Sequence, residues 1–407
     1  MLLVLLVAFF CCAACSAATN EPLHEPALRP DATETERLMQ LPLRTLVKEL
    51  GLTNFYLGTA NHARLLDALS TQIADREFDY ITPSNDFKQS YIYPVFNRWR
   101  WEMPDAYVAH AAKQGQVLRI HGPISPQCSP WAREDNRTAD ELSRMLDEYM
   151  TALCQRYNAA PNILWMDVVN ETICPEVVKG GGEGFADKRP GDWFSPRQGT
   201  DKWENPWTII GFDEASELNV PLYIDRAFEL ANRHAPRLKQ IINQHGQFEA
   251  VVWEKMKQLV HYLRTDKGRR VDGLGWQAHI DTGWEKIPGN LERLDAMIKW
   301  CHANNLEFHI TEMNVWMKPA DDPTMRAKAK SRAIIAPTEA AQADTFGAVL
   351  GVLLQNRKSG VVGLNFWNVR DEDTANPTWQ GTLWRNDGSF RPAYTRIKQE
   401  LIHHVNP

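Results

Sequence analysis

The sequence lacks an excess of basic residues. Its 407 residues include 45 Lys and Arg against 51 Asp and Glu, for a net charge of −6 at pH 7, and neither sign forms long runs. Proteins that bind nucleic acid usually present a basic patch to the phosphate backbone. The charge balance therefore argues against nucleic acid as a partner.

Long hydrophobic runs are scarce, and the most extended apolar segment opens the chain. Residues 1–18 are apolar and end in small residues, and we predict a signal peptide there, because the run is too short for a comfortable membrane span. We therefore expect a secreted protein without a membrane span. A lipid anchor on Cys15 is an open alternative.

Cysteine is scarce after residue 18. The four that remain match no metal-binding motif in their spacing. An oxidising compartment would permit one or two disulfides, but the spacing assigns no pairing. These residues are Cys128, Cys154, Cys174 and Cys301.

A glycine-rich dinucleotide loop is absent after the first predicted strand, which disfavours an open doubly wound sheet. Beyond a proline-bearing segment at 19–42, interpreted as a linker, strand-like segments alternate eight times with helical patterns. This alternation predicts an α/β fold, a (β/α)8 TIM barrel, with a single catalytic domain at 43–407. The predicted strands are 54–58, 79–82, 117–121, 163–169, 239–243, 273–280, 306–311 and 362–367, with helices that include 139–157, 222–234, 291–302 and 340–354.

Two of the predicted strands end in a glutamate. The run 165–169 leads to Asn170 and Glu171, and the run 308–311 leads to Glu312. Catalytic groups of a barrel lie at the carboxyl ends of its strands, so both carboxyls should face one cleft. Glycoside hydrolysis needs such a pair, one to protonate the leaving oxygen and one to act on the anomeric carbon. The alternative is that both are ordinary polar residues at strand ends.

The two roles need different charge states. A general acid must be protonated and a nucleophile ionised, so we expect the surroundings to separate the two pKa values. Because side chains alternate along a strand, Gln277 and His279 should share one face of the barrel. We expect the His279 imidazole to hydrogen-bond to Glu312 and keep it oriented and charged. The alternative is a core histidine with its hydrogen bonds satisfied elsewhere.

Six segments form an ordered set along the chain: 43–60, Val168–Glu171, Gly275–His279, Ile310–Glu312, Trp367–Asp371 and Pro392–Tyr394. Together they resemble glycoside hydrolase family 10, the retaining endo-β-1,4-xylanases. The resemblance implies Glu171 as the acid/base, Glu312 as the nucleophile, and Asn170 as a contact to the 2-hydroxyl of the reacting sugar. The substrate-binding residues that it implies are Asn85, Lys88, His121, Asn243, Gln277, Trp367 and Trp379.

Several positions depart from the family pattern. Ser84 stands where a glutamate is expected, and Ser125 where a stacking tryptophan is expected. Asn314 replaces an aspartate that partners the strand-six histidine, and His245 ends a segment that replaces the usual Asn-Asp-Tyr. We expect the two serines to leave the glycone side of the cleft wider and weaker.

A long insertion at about 175–219, rich in Gly, Pro and Trp, follows the fourth predicted strand. Loops in this position border the active site of a barrel. We interpret Trp193, Trp203 and Trp207 as part of a cleft wall or lid, with a plain surface loop as the alternative.

These observations predict a monomeric, secreted, retaining endo-glycosidase that hydrolyses β-1,4-xylosidic bonds in xylan or a related polysaccharide. We expect neither a metal ion nor an organic cofactor, because two carboxylates and water suffice. One alternative keeps the mechanism and changes the polymer to β-glucan, mixed-linkage or substituted xylan. Another is a catalytically weak sugar-binding barrel, which the presence of both glutamates, Asn170 and His279 disfavours.

Overall fold

The computed structural model describes residues 33–126, 136–175, 190–194, 205–318 and 337–405. The predicted signal peptide with Cys15, most of the predicted linker, Cys128 and Trp203 lie outside these residues. In the part that is described, no helix is both long and apolar enough to cross a membrane. Cys154 and Cys301 are buried and form no disulfide, so the possibility of two disulfides is not realised.

Parallel strands form a closed barrel in the described part of the chain. β6 pairs with β5 on one side and with β8 on the other, and β9 pairs with both β8 and β1, which completes the ring. The predicted (β/α)8 barrel is confirmed. The strands are β1 Phe55–Ala60, β2 Tyr80–Thr82, β3 Val117–Ile120, β4 Ile163–Asn170, β5 Lys239–Gln244, β6 Gly273–Trp276, β7 His279–Asp281, β8 Glu307–Trp316 and β9 Val362–Phe366.

Amphipathic helices surround the barrel and follow the sequence pattern closely. The longest begins after Thr138, whose hydroxyl and backbone complete a capping box with Glu141. Its buried residues recur at helical spacing, so one face packs into the main hydrophobic core. The described helices are α1 Glu34–Gln40, α2 Leu43–Glu49, α3 Leu69–Glu77, α4 Gln89–Ile92, α5 Glu102–Gln114, α6 Ala139–Tyr157, α7 Leu222–His234, α8 Ala250–His261, α9 Asn290–Ala303, α10 Glu339–Asn356 and α11 Pro392–Val405.

The prediction of a linker is wrong for the last part of that segment, residues 33–42. Thr33 caps α1 with a capping box, and Leu38 is buried in the main hydrophobic core. The Lys398 ammonium donates a hydrogen bond to the carbonyl oxygen of Met39 at 3.0 Å. The proline and acidic content suggested an extended spacer, but the capping box and the buried leucine fix a helix on the barrel.

The sixth predicted strand, 273–280, is interrupted. β6 ends at Trp276 and β7 begins at His279, and Ala278 between them has φ of 58°, in the left-handed region that residues other than glycine seldom adopt. Alternation does not hold across such a break, so the argument that placed Gln277 and His279 on one continuous strand is wrong.

The seventh predicted strand does not end at Glu312. β8 runs on to Trp316, and its pairing with β9 shifts register between Ile310 and Met313. Glu312 therefore lies at an irregularity within the strand. Bulges of this kind re-aim side chains and are frequent beside active sites.

Candidate active site

Glu171 directly follows β4, which ends at Asn170. Its φ of 57° is left-handed, and its backbone N–H donates to the carbonyl oxygen of Asn243 on β5 at 3.0 Å. Nε2 of Gln277, just beyond β6, donates to Oε1 of Glu171 at 2.7 Å. Neighbouring strand ends therefore hold both the backbone and the carboxyl of Glu171.

Amide side chains link the two candidate carboxyls. Nδ2 of Asn243 donates to Oε1 of Glu312 at 3.0 Å and to Oδ1 of Asn170 at 2.9 Å. The same Oδ1 accepts a hydrogen bond from Nε2 of Gln277 at 3.2 Å. Asn243 is fixed in turn by Thr311, whose hydroxyl donates to its Oδ1 at 2.7 Å. The carboxyls thus belong to one hydrogen-bonded network at the same end of the barrel.

One donor of this network is unused. Nδ2 of Asn170 is buried, and among the described residues it has no hydrogen-bond partner. Buried polar groups are nearly always satisfied, so an orphan donor beside the two carboxyls is a candidate contact for a ligand acceptor. Gly122 with φ of 51° lies beside it, where an added Cβ would come within 3.6 Å of Nδ2.

Two histidines flank Glu312, whose residue surface is 4% exposed. His279 Nε2 lies 3.3 Å from Oε2, which is the contact expected from the sequence. His121 Nε2 lies 3.6 Å from Oε1. With Asn243, these groups contact both oxygens of the Glu312 carboxyl and fix its orientation.

His279 is held on its other side by Asn314 and Trp316. Its Nδ1 lies 3.0 Å from Oδ1 of Asn314. The Trp316 indole stacks parallel to the imidazole, with ring centroids 5.6 Å apart and an angle of 3° between the planes. The sequence reasoning missed Trp316, although its place at the end of an apolar strand, four residues after Glu312, was a visible signal.

Beneath the site lies a buried ion pair that the sequence reasoning also missed. The Arg119 guanidinium donates to Asp167, and both side chains are fully buried inside the barrel. The other oxygen of Asp167 lies 3.1 Å from Nδ1 of His121. Burial acts to raise the pKa of Asp167, but the Arg119 charge and the His121 contact outweigh it and lower that pKa. Asp167 is therefore an ionised support for His121.

The electrostatics of Glu171 differ from those expected of a general acid. Burial acts to raise its pKa, but the positive charges of His245 and Lys88 and the hydrogen bond from Gln277 lower it overall. The direction of this pKa shift therefore favours the ionised form of Glu171, which a general base needs. To act as an acid, Glu171 must take up a proton against these neighbours. The histidine contribution exists only while the ring is protonated.

The loop after β2 contributes Lys88 and Asn85. Lys88 is buried, and its Cε would lie 3.3 Å from a Cβ added at Gly122, which places it beside Asn170. Asn85 lies in the same loop, where its carbonyl oxygen accepts from the backbone N–H of Lys88 at 3.0 Å. The structure thus brings Lys88 to the network and places Asn85 on the same loop.

Aromatic rings cover one side of the network. The Trp367 indole lies edge-on to His121 at 5.2 Å and to His279 at 6.3 Å between ring centroids. Trp379 contacts Trp316 at 4.8 Å, so it joins the site through that residue. The aromatic side of the cleft therefore includes Trp316 beside the two tryptophans that the sequence indicated.

Ser84 and Ser125, two of the positions that depart from the family pattern, are both buried. Ser84 is 5% exposed, with φ of 39°. Ser125 is 4% exposed, and its hydroxyl donates to the carbonyl oxygen of Pro126 at 3.2 Å. Neither residue supplies a carboxylate or a flat apolar face in this region.

The described tryptophans of the insertion pack inside the protein. Trp207 is fully buried, and its Nε1 donates to the carbonyl oxygen of Ser125 at 3.2 Å. Trp193 donates to the carbonyl oxygen of Leu218 at 3.0 Å, with the Lys255 ammonium 4.1 Å from its ring centroid. Both residues are therefore buried packing residues, which does not fit a lid, and Trp207 packs against the backbone at Ser125.

The structure gathers most of the residues that the sequence indicated. Those joined by direct contacts are Glu171, Glu312, Asn170, Asn243, Gln277, His279, His121 and Trp367. Lys88 borders this set, Trp379 reaches it through Trp316, and Asn85 lies on the adjoining loop.

Comparison with known proteins gives one family. The sequence profile described as "Glycosyl hydrolase family 10" matches residues 44–400. The chain is 26% identical over 280 residues to endo-1,4-beta-xylanase B of Thermotoga neapolitana, covering 67% of this chain and 69% of that protein. It is 25% identical over 335 residues to endo-1,4-beta-xylanase A of Humicola insolens, covering 80% and 75%.

Solved structures share the same fold. The native xylanase 10B of Thermotoga maritima superposes with a TM-score of 0.66 at 22% identity, over 90% of this chain and 99% of that one. The endo-1,4-beta-xylanase XylE of Penicillium canescens gives a TM-score of 0.68 at 21% identity, over 89% and 97%. The likeness therefore extends across the whole barrel.

Proposed function

This chain belongs to glycosyl hydrolase family 10 and is a glycoside hydrolase, and from that premise we propose that it is a retaining endo-β-1,4-xylanase or acts on a closely related polysaccharide. Glu312 is the nucleophile, and Glu171 is the acid/base. Asn170 binds the 2-hydroxyl of the reacting sugar, and His279 and His121 orient the nucleophile.

The observation that carries the proposal is the amide network with its unused donor. Asn170 and Asn243 connect the two carboxyls, while Nδ2 of Asn170 is buried without a partner among the described residues. A sugar hydroxyl placed against that donor would lie next to Glu312. Positioning of this kind contributes strongly to catalysis, because the reacting groups are held before the reaction begins.

The proposed reaction has two displacements. Glu312 attacks the anomeric carbon while Glu171 gives a proton to the glycosidic oxygen, which leaves with the bond electrons and forms a covalent glycosyl-enzyme. Water then attacks the same carbon while the ionised Glu171 takes its proton, and the bond from that carbon to Glu312 breaks, which releases the sugar and restores the Glu312 carboxylate. The positive surroundings that lower the pKa of Glu171 assist this second step, since they favour its carboxylate.

The glycone side suggests a preference within this class of substrates. A carboxylate at position 84 would add charge-assisted hydrogen bonds of about 1.5–3 kcal/mol each, and an indole at 125 would cover a sugar face. The buried Ser84 and Ser125 supply neither group. Trp193 packs at Leu218, and Trp207, which donates to the Ser125 carbonyl, is fully buried and exposes no ring face to a sugar. We therefore propose weak activity on plain linear xylan relative to substituted or mixed-linkage polymers.

The test is incubation of the purified protein with a panel of linear xylan, substituted xylans, mixed-linkage glucan and cellulose, followed by separation of the products. Short xylo-oligosaccharides released with a β-anomer at early times would support retaining endo-xylanase action. Initial α-anomers would refute retention. Products from glucans alone would refute xylanase activity and indicate a β-glucanase instead. Higher kcat/KM on linear than on decorated oligomers would refute the proposed preference.

A further inference from the structure

The His279 imidazole lies between two oxygen acceptors. Nε2 is 3.3 Å from Oε2 of Glu312, and Nδ1 is 3.0 Å from Oδ1 of Asn314. A neutral imidazole carries one N–H, whereas an imidazolium carries two. Only the doubly protonated ring can therefore donate to both neighbours at once.

The orientation of the Asn314 amide is fixed by its other contacts. Nδ2 donates to the carbonyl oxygen of Trp367 at 2.8 Å and lies 3.4 Å from the carbonyl oxygen of Gly381. Exchanging the amide oxygen and nitrogen would direct an oxygen at two carbonyl oxygens and lose both contacts. Asn314 thus presents an acceptor to His279 and cannot become its donor without releasing Trp367.

We propose that Asn314 is a positioning residue that makes the doubly protonated form of His279 the competent one, and thereby sets the alkaline limit of the reaction. This inference rests on the proposed function, in which Glu312 is the nucleophile. The asparagine supplies an acceptor without a negative charge. The imidazolium beside it is therefore less stabilised than it would be beside a carboxylate.

Proton loss would affect two parts of the site. The remaining proton stays on Nε2, because the charged Glu312 is the stronger acceptor. The bare Nδ1 then faces Oδ1 of Asn314, and relief of this repulsion requires the amide to turn away from Trp367. The second proton of His279 therefore maintains both the ring's contact with Glu312 and the hydrogen bond from Asn314 to Trp367.

The charged groups around the ring are few among the described residues. Glu312 from β8 contacts it directly, and His121 after β3 faces the opposite oxygen of Glu312. Beyond Trp316 lies the Lys318 ammonium, 3.2 Å from Asp281. The His279 side chain is 25% exposed, so it can exchange its proton with solvent. Asn314 is the neutral neighbour whose replacement by a carboxylate changes the charge at Nδ1.

Kinetic profiles on an activated substrate test the proposal. The leaving group of a dinitrophenyl β-xylobioside departs without being protonated. The ionisation of Glu171 should therefore have little effect on the rate of the first displacement. Asn314→Asp should shift the alkaline limb of kcat/KM upward by about one pH unit or more, as an opposite charge at this distance does. Asn314→Ala should shift it downward. Asn365→Ala, a buried barrel asparagine away from this contact, should leave the limb in place.

A direct readout is ¹⁵N NMR of histidine-labelled protein, with the His279 signals assigned by their loss in His279→Gln. At the pH of maximal activity both ring nitrogens should carry protons. The titration midpoint should move in opposite directions in Asn314→Asp and Asn314→Ala. A singly protonated ring at that pH, or variants whose limbs and midpoints do not move, would overturn the proposal.

The NMR measurement also separates this inference from the proposed function. If the wild-type protein cleaves no β-glycoside but the two midpoints move as expected, the proposed function fails, and the coupling of Asn314 to His279 stands. If the enzyme cleaves xylosides and neither variant moves the limb, the proposed function stands and the role of Asn314 is refuted.

Discussion

Replacing Asn170 by alanine isolates the contact on which the proposed chemistry depends. Oδ1 of Asn170 accepts hydrogen bonds from Asn243 and Gln277, and Nδ2 has no hydrogen-bond partner in the part of the chain that the structure describes. The two donors keep carboxylate partners after the substitution, since Asn243 also binds Glu312 and Gln277 also binds Glu171. The change therefore removes a substrate contact and leaves the carboxyls held.

The expected decrease in kcat/KM follows from the free energy of the hydrogen bond between Asn170 and the sugar 2-hydroxyl. A hydrogen bond between neutral groups contributes about 0.5–1.5 kcal/mol, but bonds to the sugar 2-hydroxyl strengthen in the transition state and supply several kcal/mol. Taking about 3 kcal/mol, Asn170→Ala should lower kcat/KM by roughly 100-fold or slightly more, at 1.36 kcal/mol per tenfold change. The decrease should lie mainly in kcat, because the interaction is strongest in the transition state.

A double cycle with an aryl β-xyloside and its 2-deoxy analogue measures this contact alone. Asn170→Ala should cost the 2-deoxy substrate less than about tenfold, and the difference between the substrates is the coupling energy. Asn365→Ala is the matched control, because Nδ2 of Asn365 is also buried without a partner among the described residues. Asn365→Ala should lower kcat/KM for the xyloside and for its 2-deoxy analogue by the same factor. Equal losses on both substrates for Asn170→Ala would refute the assigned contact.

Further predictions concern the two carboxyls and the buried ion pair. Glu312→Ala should lower turnover at least about 10³-fold while the protein stays folded, and azide should restore cleavage of an activated glycoside with inversion; ordinary activity in this variant would contradict its role. Glu171→Gln should slow substrates with poor leaving groups severely and spare the first step for dinitrophenyl glycosides, so an equal effect on both would place the acid elsewhere. Asp167→Asn should lower the free energy of unfolding by about 3–5 kcal/mol in denaturant titrations near neutral pH, because Arg119 is left buried and unpaired. The pKa of Asp167 is lowered in the folded state, so its stabilisation is present above the unfolded value near 3.9 and is lost as pH falls through the folded value. The difference between wild type and Asp167→Asn should therefore narrow in acid, and a constant difference would contradict the ion pair.

The fold could be predicted from the sequence where the local sequence pattern agrees with the observed burial of side chains. The bounds of α6 and α7 match the predicted helices residue for residue, since each has an apolar face at helical spacing and α6 also has a capping box. The location of Glu171 and Glu312 at one end of the barrel could also be predicted, because apolar strand-like runs lead directly to both. These features need no knowledge of which strands are neighbours.

The buried pair Arg119 and Asp167 could not be recognised in the same way. Each is a single charged residue inside an otherwise apolar strand, and their partnership depends on the pairing of β3 with β4. Strand pairing of distant segments is not encoded locally. The packing of Trp193 and Trp207 was missed for the same reason, since it depends on what the insertion folds against.

Backbone strain shows how the barrel positions the two candidate carboxyls. Glu171 and Ala278 both adopt left-handed φ values, of 57° and 58°, and neither position carries the glycine or asparagine that such a conformation favours. Strain of this kind costs about 1–3 kcal/mol at each residue and persists only where the surroundings determine it. Cross-strand hydrogen bonds provide that determination, from Glu171 N–H to the Asn243 carbonyl at 3.0 Å and from Glu312 N–H to the Gln277 carbonyl at 3.1 Å. The strained residues therefore lie where β4, β5, β6 and β8 meet at the network, and the closed barrel stabilises a geometry that neither segment would adopt alone.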